Sequence, residues 1–394
     1  MRHQTNGRKF SFMKKVIIVG AGLSGCTAGR ILAEAGFSIC ILEQREHIGG
    51  NAFDYKDKNG ILVHKYGPHI FHTNNIGAFY FLSRFSGFIS YEHKVLGYVD
   101  SNFIPVPFNL CSLKIAYKDS EYQHLREILI NKFGFGARVP ISELRKEKEV
   151  SLLAEYIYEK VFFNYSKKQW GMEPELLDNS VTVRVPVVVS EDCRYFNDSI
   201  QVIPQDGYTQ LIKNMLDHEN IEVVLNCDAR EHINLGEDTG TICHDGTKFK
   251  GVIIYTGCID ELLGYRYGVL PYRSLEFEFK TFKMNKFQPS AVVNYPNDNE
   301  YTRITEFKQF YPESSNSRTV VAYEYPCSYN GKNIPYYPVP QSQNEVLYFK
   351  YKSQLEGFKN LYLLGRLGEY RYYNMDVAVQ RGMDVARMVK NNFT

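Results

Sequence analysis

The sequence predicts an α/β fold in which both ends of the chain build one parallel-sheet domain, with a helical insert and an antiparallel sheet between them. Two observations predict it. Apolar strands, glycine turns and helices alternate at both ends, over residues 15–43 and 361–390. The middle changes from helical periodicity over 120–180 to short alternating strands after Ser180. With 394 residues, the chain is long enough for one large or two ordinary domains.

These shifts in pattern divide the chain into segments that leave one domain and return to it. We expect a first part of the parallel-sheet domain at 14–80, a mixed and mainly helical insert at 81–180 with a mobile loop near 165–172, an antiparallel-sheet substrate region at 181–250 and 270–345, and a second part of the parallel-sheet domain at 251–269 and 346–394.

Composition excludes several classes of partner. A net charge of +2 gives no overall field that would attract nucleic acid or an anionic membrane. No stretch approaches the roughly 18 apolar residues of a membrane span, so we expect no stable membrane insertion. The eight cysteines show no C-x-x-C and no metal-ligand spacing, so we interpret them as reduced core thiols of a cytoplasmic protein. Met13 is an alternative start after a loose basic tail.

The glycine turn after the first strand carries the main ligand-binding prediction. "KVIIVGAGLSG", residues 15–25, leads a buried strand into G-x-G-x-x-G, and a helix is predicted over 23–35. Gly20 allows the tight turn, Gly22 lets a pyrophosphate approach the backbone, and Gly25 lets helix and strand pack closely. The N–H groups and dipole of the helix favour an anion. The predicted dinucleotide contacts are Gly20, Gly22, Ser24 and Gly25.

An acid and three further glycine segments narrow the choice of dinucleotide. Glu43 ends the second strand, where a carboxylate accepts from both ribose hydroxyls and argues against NADP. Paired glycines in "REHIGGNAF" and the strand ends "GVIIYTG" and "LYLLGR" resemble those of flavoproteins of the glutathione-reductase and amine-oxidase type. Each segment alone is compatible with an ordinary buried strand or turn. Together they favour FAD over NAD, with further contacts from Gly50, Asn51 and Arg366.

Seven motifs in order along residues 15–385 resemble those of the bacterial UDP-galactopyranose mutase family. They are "HIGGNAF", "HKYGPHIFHT", "YSKKQWG", "VRVPV", "YTRITE", "PYYPV" and "GRLGEYRYYNMD". The resemblance implies an FAD enzyme, active with reduced flavin, that interconverts pyranose and furanose forms of a nucleoside-diphosphate sugar. Flavin N5 is implied to attack the anomeric carbon and displace the diphosphate. The family also implies a homodimer that serves bacterial surface-polysaccharide synthesis, such as that of O-antigen.

Two arginines match the family positions that bind the diphosphate. They are Arg184 in "VRVPV" and Arg303 in "YTRI". The leaving diphosphate carries about two negative charges, and a guanidinium binds phosphate oxygens bidentately. From the residues alone, a buried ion pair is the ordinary interpretation of each arginine. The resemblance instead implies a catalytic role for both.

Aromatic residues match the family positions around the nucleotide. We expect Trp170 in an exposed, mobile loop, "SKKQWGMEPE", that closes over the nucleotide, although a lone Trp usually belongs to a core. The resemblance implies that Tyr165 stacks on the base. Tyr195, Tyr337 and Tyr372 match tyrosines that hydrogen-bond the diphosphate. For these tyrosines, core packing is the alternative.

The motif "GPHIFHT" contains two histidines that raise the question of a metal. Pro68 and the β-type neighbours of His69 and His72 oppose a helical metal-binding pair, and no third ligand is near in sequence, so we predict no metal. The resemblance places this loop against the flavin, with His69 as a cofactor contact. It gives His72, or a backbone carbonyl near N5, a catalytic role in tuning flavin protonation.

Departures from the family pattern leave the substrate open. Asn374 stands where many members have an aspartate, which keeps the shape but loses the charge, and His93 stands where some members have Asn. We expect Asn374 to contact substrate. The two candidates are UDP-galactopyranose and dTDP-fucopyranose, each converted to its furanose. More distant alternatives are an FAD oxidoreductase of amine-oxidase type and a nucleotide-binding module without chemistry.

Overall fold

The computed structural model describes residues 14–177, 186–236, 240–311 and 317–393. Its strands are, in chain order, β1 (Lys15–Val19), β2 (Ser38–Leu42), β3 (Asp54–Lys56), β4 (Leu62–His64), β5 (Phe71–Thr73), β6 (Phe88–Ser90), β7 (Val95–Val99), β8 (Asn102–Val106), β9 (Arg138–Val139), β10 (Val187–Val188), β11 (Ile200–Pro204), β12 (Ile221–Val224), β13 (Ile233–Gly236), β14 (Thr241–His244), β15 (Thr247–Lys248), β16 (Val252–Tyr255), β17 (Tyr272–Phe282), β18 (Val292–Asn294), β19 (Arg303–Glu306), β20 (Thr319–Ser328), β21 (Tyr337–Pro338) and β22 (Leu361–Leu363).

The α-helices are α1 (Leu23–Glu34), α2 (Ile76–Ser83), α3 (Leu110–Ala116), α4 (Asp119–Phe133), α5 (Ile141–Leu144), α6 (Ser151–Ile157), α7 (Asn164–Trp170), α8 (Tyr208–Leu216), α9 (Ala229–His232), α10 (Ile259–Leu262), α11 (Ser342–Leu355), α12 (Gly365–Gly368) and α13 (Met375–Phe393). A π-helical segment, Tyr158–Phe163, joins α6 to α7. Parallel and antiparallel sheets occur together with these helices, so the predicted α/β class is confirmed. None of the helices described is long and apolar enough to cross a membrane.

The described residues form two compact units. The first contains those of Met1–Gly50, Leu211–Arg266 and Tyr351–Thr394, and the second those of Asn51–Gln210 and Tyr267–Lys350. The first unit is built on a parallel sheet of order β12-β2-β1-β16-β22. The middle of β1 (Val16, Ile17 and Ile18) and all of β16 are apolar and buried, as expected of parallel strands covered on both faces. Strands from the N-terminal part (β1, β2) and from the C-terminal part (β22) of the described chain therefore belong to one sheet.

Edge strand β12 differs from the sequence-based expectation. We placed residues 221–224 in the antiparallel substrate region, whereas the structure pairs them in parallel with β2. Their exposure alternates along the strand, since an edge strand is covered less completely than a central one. Alternation of this kind is typical of an antiparallel strand, so the pattern alone could not reveal the partner.

The second unit contains a seven-stranded sheet and the helical segment. The sheet order is β21-β17-β20-β19-β18-β7-β8, antiparallel except for the parallel pair β18 and β7. One buried apolar cluster, including Phe307, Phe310 and Val292, packs on this sheet. A second cluster, including Leu113, Leu144 and Leu153, forms a core within the helical segment. The sheet and the helices thus have separate cores.

We expected all the cysteines to lie in the core, and the structure places only some of them there. Only Cys26 and Cys258 are buried, and the other six are half-buried. All eight are free thiols. The expectation was wrong for the six because it rested on the average burial of cysteine, which says nothing about a particular position.

Candidate functional site

Three adjacent strands of the second unit bring a row of polar side chains together around Arg303. This residue begins β19 and lies directly opposite Asn294 of β18 and Glu324 of β20. Its Nε donates to Asn294 Oδ1 at 3.3 Å, and its Nη1 lies 3.7 Å from Glu324 Oε2. The side chain of Glu324 is 4% exposed and that of Arg303 is 24% exposed. Strand register therefore creates an ion pair whose anion is buried and whose cation is partly exposed.

Three tyrosines act on the same guanidinium, one of them through a hydrogen bond. Tyr165 accepts a hydrogen bond from Arg303 Nη2 at 2.9 Å, and Tyr195 and Tyr337 interact with it electrostatically. Burial lowers the pKa of Arg303, but Tyr165, Glu324 and the two other tyrosines raise it well above its ordinary value. Burial raises the pKa of Tyr165 to about 12, against the influence of Arg303. At neutral pH the result is a fixed cation among neutral hydroxyls, a combination suited to phosphate oxygens.

A small cavity opens beside this cluster. Its volume is about 40 Å³, enough for one or two water molecules or part of a ligand. Aromatic, aliphatic and hydroxyl groups line it: Gly97, Val106, Val161, Phe162, Tyr165, Ser166, Tyr195, Asn294 and Pro296. The wall therefore includes part of the π-helical segment and three of the residues that surround Arg303, namely Tyr165, Tyr195 and Asn294.

Helix α7, which carries Tyr165, is fixed at its C-terminal end by two cations. Lys168 Nζ donates to the carbonyl oxygens of Tyr295, Asn297 and Asn299 at 2.7–3.0 Å. Arg273 donates from Nε to Gln169 O at 3.0 Å and from Nη2 to Lys168 O at 3.3 Å. The carbonyls of Lys168 and Gln169 belong to the last turn of α7, whose carbonyls a helix end leaves unpaired, and a cation there also suits the helix dipole.

We predicted an exposed loop at Trp170, but the structure places this residue in a helix. It is the last residue of α7, is 9% exposed, and packs with Leu177. Its ring centroid lies 6.3 Å from that of Tyr337, and Met172 also packs against the cluster. The prediction of exposure was wrong because the flanking lysines are satisfied by a salt bridge and by backbone carbonyls, and they leave the indole free to pack inward.

His72 is held by an aromatic ring and a carboxylate. Its ring stacks on Phe196 with centroids 3.5 Å apart and planes 9° apart. Its Nδ1 lies 2.6 Å from Asp198 Oδ2, which fixes the proton of a neutral ring on Nδ1. Asn74 donates to the other carboxylate oxygen of Asp198 at 2.9 Å. Asp198 is therefore a positioning residue for His72.

Two other histidines of this unit, His93 and His64, are buried, and burial lowers the pKa of each to about 3, so both are neutral. His93 lies near Tyr195 and Phe196, and its Nδ1 has no hydrogen-bond partner among the described residues. Burial, with smaller effects of Arg303 and His72, lowers the pKa of His93 to about 3. His69 has its Nδ1 2.8 Å from Gly67 O, and its backbone N–H donates to buried His64. Among the described residues, no group of three or more potential metal ligands is gathered.

The glycine turn of the first unit provides a cradle that fits a dinucleotide. A Cβ on Gly20 would lie 2.1 Å from Thr256 Oγ1, and one on Gly25 would lie 2.4 Å from Gly20 O. A Cβ on Gly22, by contrast, would meet no described atom within 4 Å, so the backbone there faces open space. Helix α1 begins after Gly22 with no side-chain cap. Open space and uncapped N–H groups together suit a pyrophosphate.

The acid of this unit is already engaged with the backbone. Glu43 is 4% exposed, and its Oε2 accepts from Ala21 N at 2.7 Å while its Oε1 accepts from Arg45 N at 2.9 Å. These bonds fix the glycine turn, and each oxygen keeps a lone pair for another donor. Gly49 pairs with Gly22 in a parallel bridge, and a Cβ on Gly50 would lie 3.0 Å from Gly22 Cα.

The last strand of the parallel sheet brings Arg366 to the same unit. Its Nε donates to Tyr373 O at 2.6 Å, and its guanidinium lies 4.8 Å from the ring centroid of Tyr372. Ser24, which we predicted as a cofactor contact, hydrogen-bonds the side chain of Tyr373. Asn374 follows and is exposed. These contacts place four predicted residues of the first unit in one network or next to it.

The remaining predicted residues divide between the units and the undescribed part of the chain. Asn51 and the two motif histidines belong to the second unit, together with Tyr165, Trp170, Tyr195, Arg303 and Tyr337. Arg184 lies outside the described residues. Sequence reasoning missed Asn294, Glu324, Asp198 and Phe196. No local spacing in the sequence marks these residues. Asn294 and Glu324 reach Arg303 through strand pairing, and Asp198 contacts His72 across 126 positions of sequence.

Comparison with known proteins gives the following similarities. A family model described as UDP-galactopyranose mutase matches residues 160–372, and one for NAD(P)-binding Rossmann-like domains matches 18–85. The dTDP-fucopyranose mutase of Escherichia coli is 35% identical over 96% of this chain and 100% of its own. A probable UDP-galactopyranose mutase of Klebsiella pneumoniae is 36% identical over 95% of this chain and 94% of its own. A crystal structure of reduced UDP-galactopyranose mutase superposes with a TM-score of 0.72 at 17% sequence identity. The superposition covers 97% of this chain and 96% of the other.

Proposed function

Because the chain belongs to the UDP-galactopyranose mutase family, we propose that it interconverts the pyranose and furanose forms of a nucleoside-diphosphate sugar. The resemblance inferred from its motifs is thereby confirmed. UDP-galactopyranose and dTDP-fucopyranose are both candidate substrates, since relatives named for each are similar to this chain over nearly all of its length. Family membership also implies a flavin cofactor. We propose that it is FAD and that the reduced form is active.

The observation that carries this proposal is the cation of Arg303 among tyrosine hydroxyls. A guanidinium has five N–H groups, and the contacts to Tyr165, Asn294 and Glu324 occupy only part of that capacity. Its partial exposure leaves it accessible to a diphosphate. Buried Glu324 keeps the guanidinium in one orientation, so little rearrangement is needed when the ligand binds. We propose that Arg184 supplies a second cation.

The neighbouring side chains then have defined roles. Tyr165, Tyr195 and Tyr337 donate hydrogen bonds to the diphosphate, and Tyr165 also offers its ring to the base. Because α7 is fixed by Lys168 and Arg273, Tyr165 remains in place when the diphosphate leaves the sugar and returns to it. Tyr372 and Asn374 are proposed as further substrate contacts.

The flavin and the histidines complete the proposal. Reduced flavin, when bound, supplies a nucleophile toward the anomeric carbon and is regenerated without net redox change. We assign its phosphates to the turn of Gly20, Gly22 and Gly25 and its ribose to Glu43, with Arg366 as a further contact. Asp198 keeps the Nδ1 of His72 protonated, so its Nε2 is left to accept a proton. We further propose a cytoplasmic homodimer that serves surface-polysaccharide synthesis.

The main competing class is an FAD oxidoreductase of amine-oxidase type, and flavin absorbance separates the two. The oxidised protein is mixed anaerobically with each nucleotide sugar, and its absorbance near 450 nm is followed. We expect no bleaching, because a mutase takes no electrons from its substrate. Bleaching by substrate without added reductant would identify an oxidase and overturn the proposal.

A further inference from the structure

Two cysteines of the second unit meet at one backbone carbonyl. Cys111 lies in the first turn of α3, and Cys193 lies in the segment between β10 and β11. The thiol of Cys111 donates to Glu191 O at 3.6 Å, and that of Cys193 donates to the same oxygen at 3.5 Å. The two thiols also hydrogen-bond each other. They form the Cys111–Cys193 pair.

The backbone on both sides of the pair is fixed. Asn109 caps α3 by accepting from Cys111 N and Ser112 N, and its Nδ2 donates to Asp192 O at 3.2 Å. Leu110 N donates to Ser190 O at 3.0 Å. These bonds tie the start of α3 to the segment that carries Cys193. The thiols are therefore neighbours because the main chain holds them there, not because two mobile side chains happen to touch.

Both thiols are half-buried, so a small reagent has access to them. Burial, followed by the effect of Cys193, raises the pKa of Cys111 to about 11. At neutral pH this thiol is protonated and attacks slowly. By contrast, Cys26 is fully buried in the first unit, and burial raises its pKa further.

We propose that Cys111 and Cys193 are a thiol–disulfide exchange site that forms an intrachain disulfide with a small-molecule disulfide as oxidant. One thiolate attacks the oxidant, forms a mixed disulfide and releases one thiol. The second cysteine then attacks the protein sulfur of that mixed disulfide and releases the other. Two thiols lose two electrons and two protons, and the oxidant is reduced to two thiols. The exchange reaction itself uses neither the flavin nor the sugar nucleotide.

The disulfide would link the start of α3 covalently to the segment that precedes Tyr195 and Phe196. A cross-link between positions so far apart in sequence restricts the unfolded chain strongly. We therefore expect oxidation to raise the Tm of the whole protein by on the order of 5 °C. Reduction with dithiothreitol returns the Tm to its starting value.

The test uses the full-length protein with oxidised glutathione, followed by alkylation and peptide mass spectrometry. We expect a peptide pair linked through Cys111 and Cys193, with a mass lower by two hydrogens. In Cys111→Ser, Cys193 should stop at the mixed disulfide and carry one glutathione, with no rise in Tm. Cys243→Ser, a half-buried cysteine of the first unit, is the control and should behave as the wild type.

Two results would overturn the proposal. One is recovery of both cysteines of the wild type as separate glutathione adducts. The other is recovery of both as alkylated thiols under conditions in which Cys193 of the Cys111→Ser variant is glutathionylated. Either result would show that the two sulfurs do not reach bonding distance.

Discussion

Arg303 donates a hydrogen bond from Nη2 to the hydroxyl of Tyr165 at 2.9 Å, across 138 positions of sequence. The bond joins the seven-stranded sheet to helix α7, and each partner is fixed independently. Asn294 and Glu324 hold the guanidinium on the sheet, whereas Lys168 and Arg273 hold the helix. The arrangement therefore precedes any ligand and is preorganised for an anion.

Removal of either partner should weaken nucleotide binding, by different amounts. Arg303→Ala should abolish turnover and leave flavin binding unchanged, because the cation belongs to the second unit and the flavin cradle to the first. Tyr165→Phe should weaken UDP or dTDP binding about tenfold, as expected for loss of one hydrogen bond to a charged group. Furanose formation measures turnover, calorimetric titration measures nucleotide binding, and flavin absorbance measures bound flavin. Tyr325→Phe, on the same sheet, is the control, and wild-type turnover by Arg303→Ala would refute the assigned role.

Gly171 ends α7 in a left-handed conformation that leaves room for Arg273. Its φ is +68°, and a Cβ there would lie 2.6 Å from Arg273 Nη1. Gly171→Ala should therefore displace the cation from the helix end and lower the free energy of unfolding by more than the roughly 1–2 kcal/mol of the backbone strain alone. Gly60→Ala is the matched control, since its φ is +78° with nothing within 4 Å of the added Cβ. If urea denaturation showed the same loss in the free energy of unfolding for Gly171→Ala and Gly60→Ala, this account would be contradicted.

His93 should make the protein sensitive to acid. Burial first, with Arg303 and His72, lowers its pKa from 6.5 to about 3 in the folded state. Between these values the unfolded chain binds a proton that the folded chain does not. The contribution of His93 to the free energy of unfolding is thus complete above about pH 6.5 and is lost as the pH falls toward 3. Urea midpoints from pH 4 to pH 7 should depend less steeply on pH in His93→Asn, whereas exposed His124→Asn should keep the wild-type slope.

Lys168 should couple nucleotide binding to alkaline pH. Burial lowers its pKa to about 8, and a neutral amine cannot donate to all three carbonyls that it contacts. We expect nucleotide affinity to fall as the pH rises through about 8 in the wild type, and to fall less in Lys168→Arg. Stability changes in the opposite direction, because the unfolded chain binds the extra proton between about pH 8 and 10.5, so the free energy of unfolding rises there. Lys167→Met, an exposed neighbour paired with Glu173, should follow the wild type.

The sequence predicts best where one short segment determines the structure. The strand, glycine turn, helix and acid from Lys15 to Glu43 form a continuous unit, and the structure places β1, α1 and β2 where their pattern indicated. The family resemblance was likewise carried by contiguous motifs. These features depend on residues that are close together in sequence, so local sequence patterns are enough to predict them.

The parts that sequence reasoning missed depend on partners far away in the chain. Asn294 and Glu324 contact Arg303 only because three strands pair in one register, and no spacing in the sequence encodes that register. Trp170 is buried because Leu177 and Tyr337 cover it, although its neighbours in sequence are charged. The Cys111–Cys193 pair likewise arises when the segment after β10 returns to the start of α3.

Furanose formation tests the proposed function most directly. The protein is reduced anaerobically with dithionite and incubated with UDP-galactopyranose or dTDP-fucopyranose in separate reactions. Products are separated by anion exchange and identified from the proton NMR signal of the anomeric centre. We predict that at least one sugar nucleotide gives its furanose with the reduced protein and not with the oxidised protein. Absence of furanose from both substrates, with flavin bound and fully reduced, would contradict the proposed mutase activity.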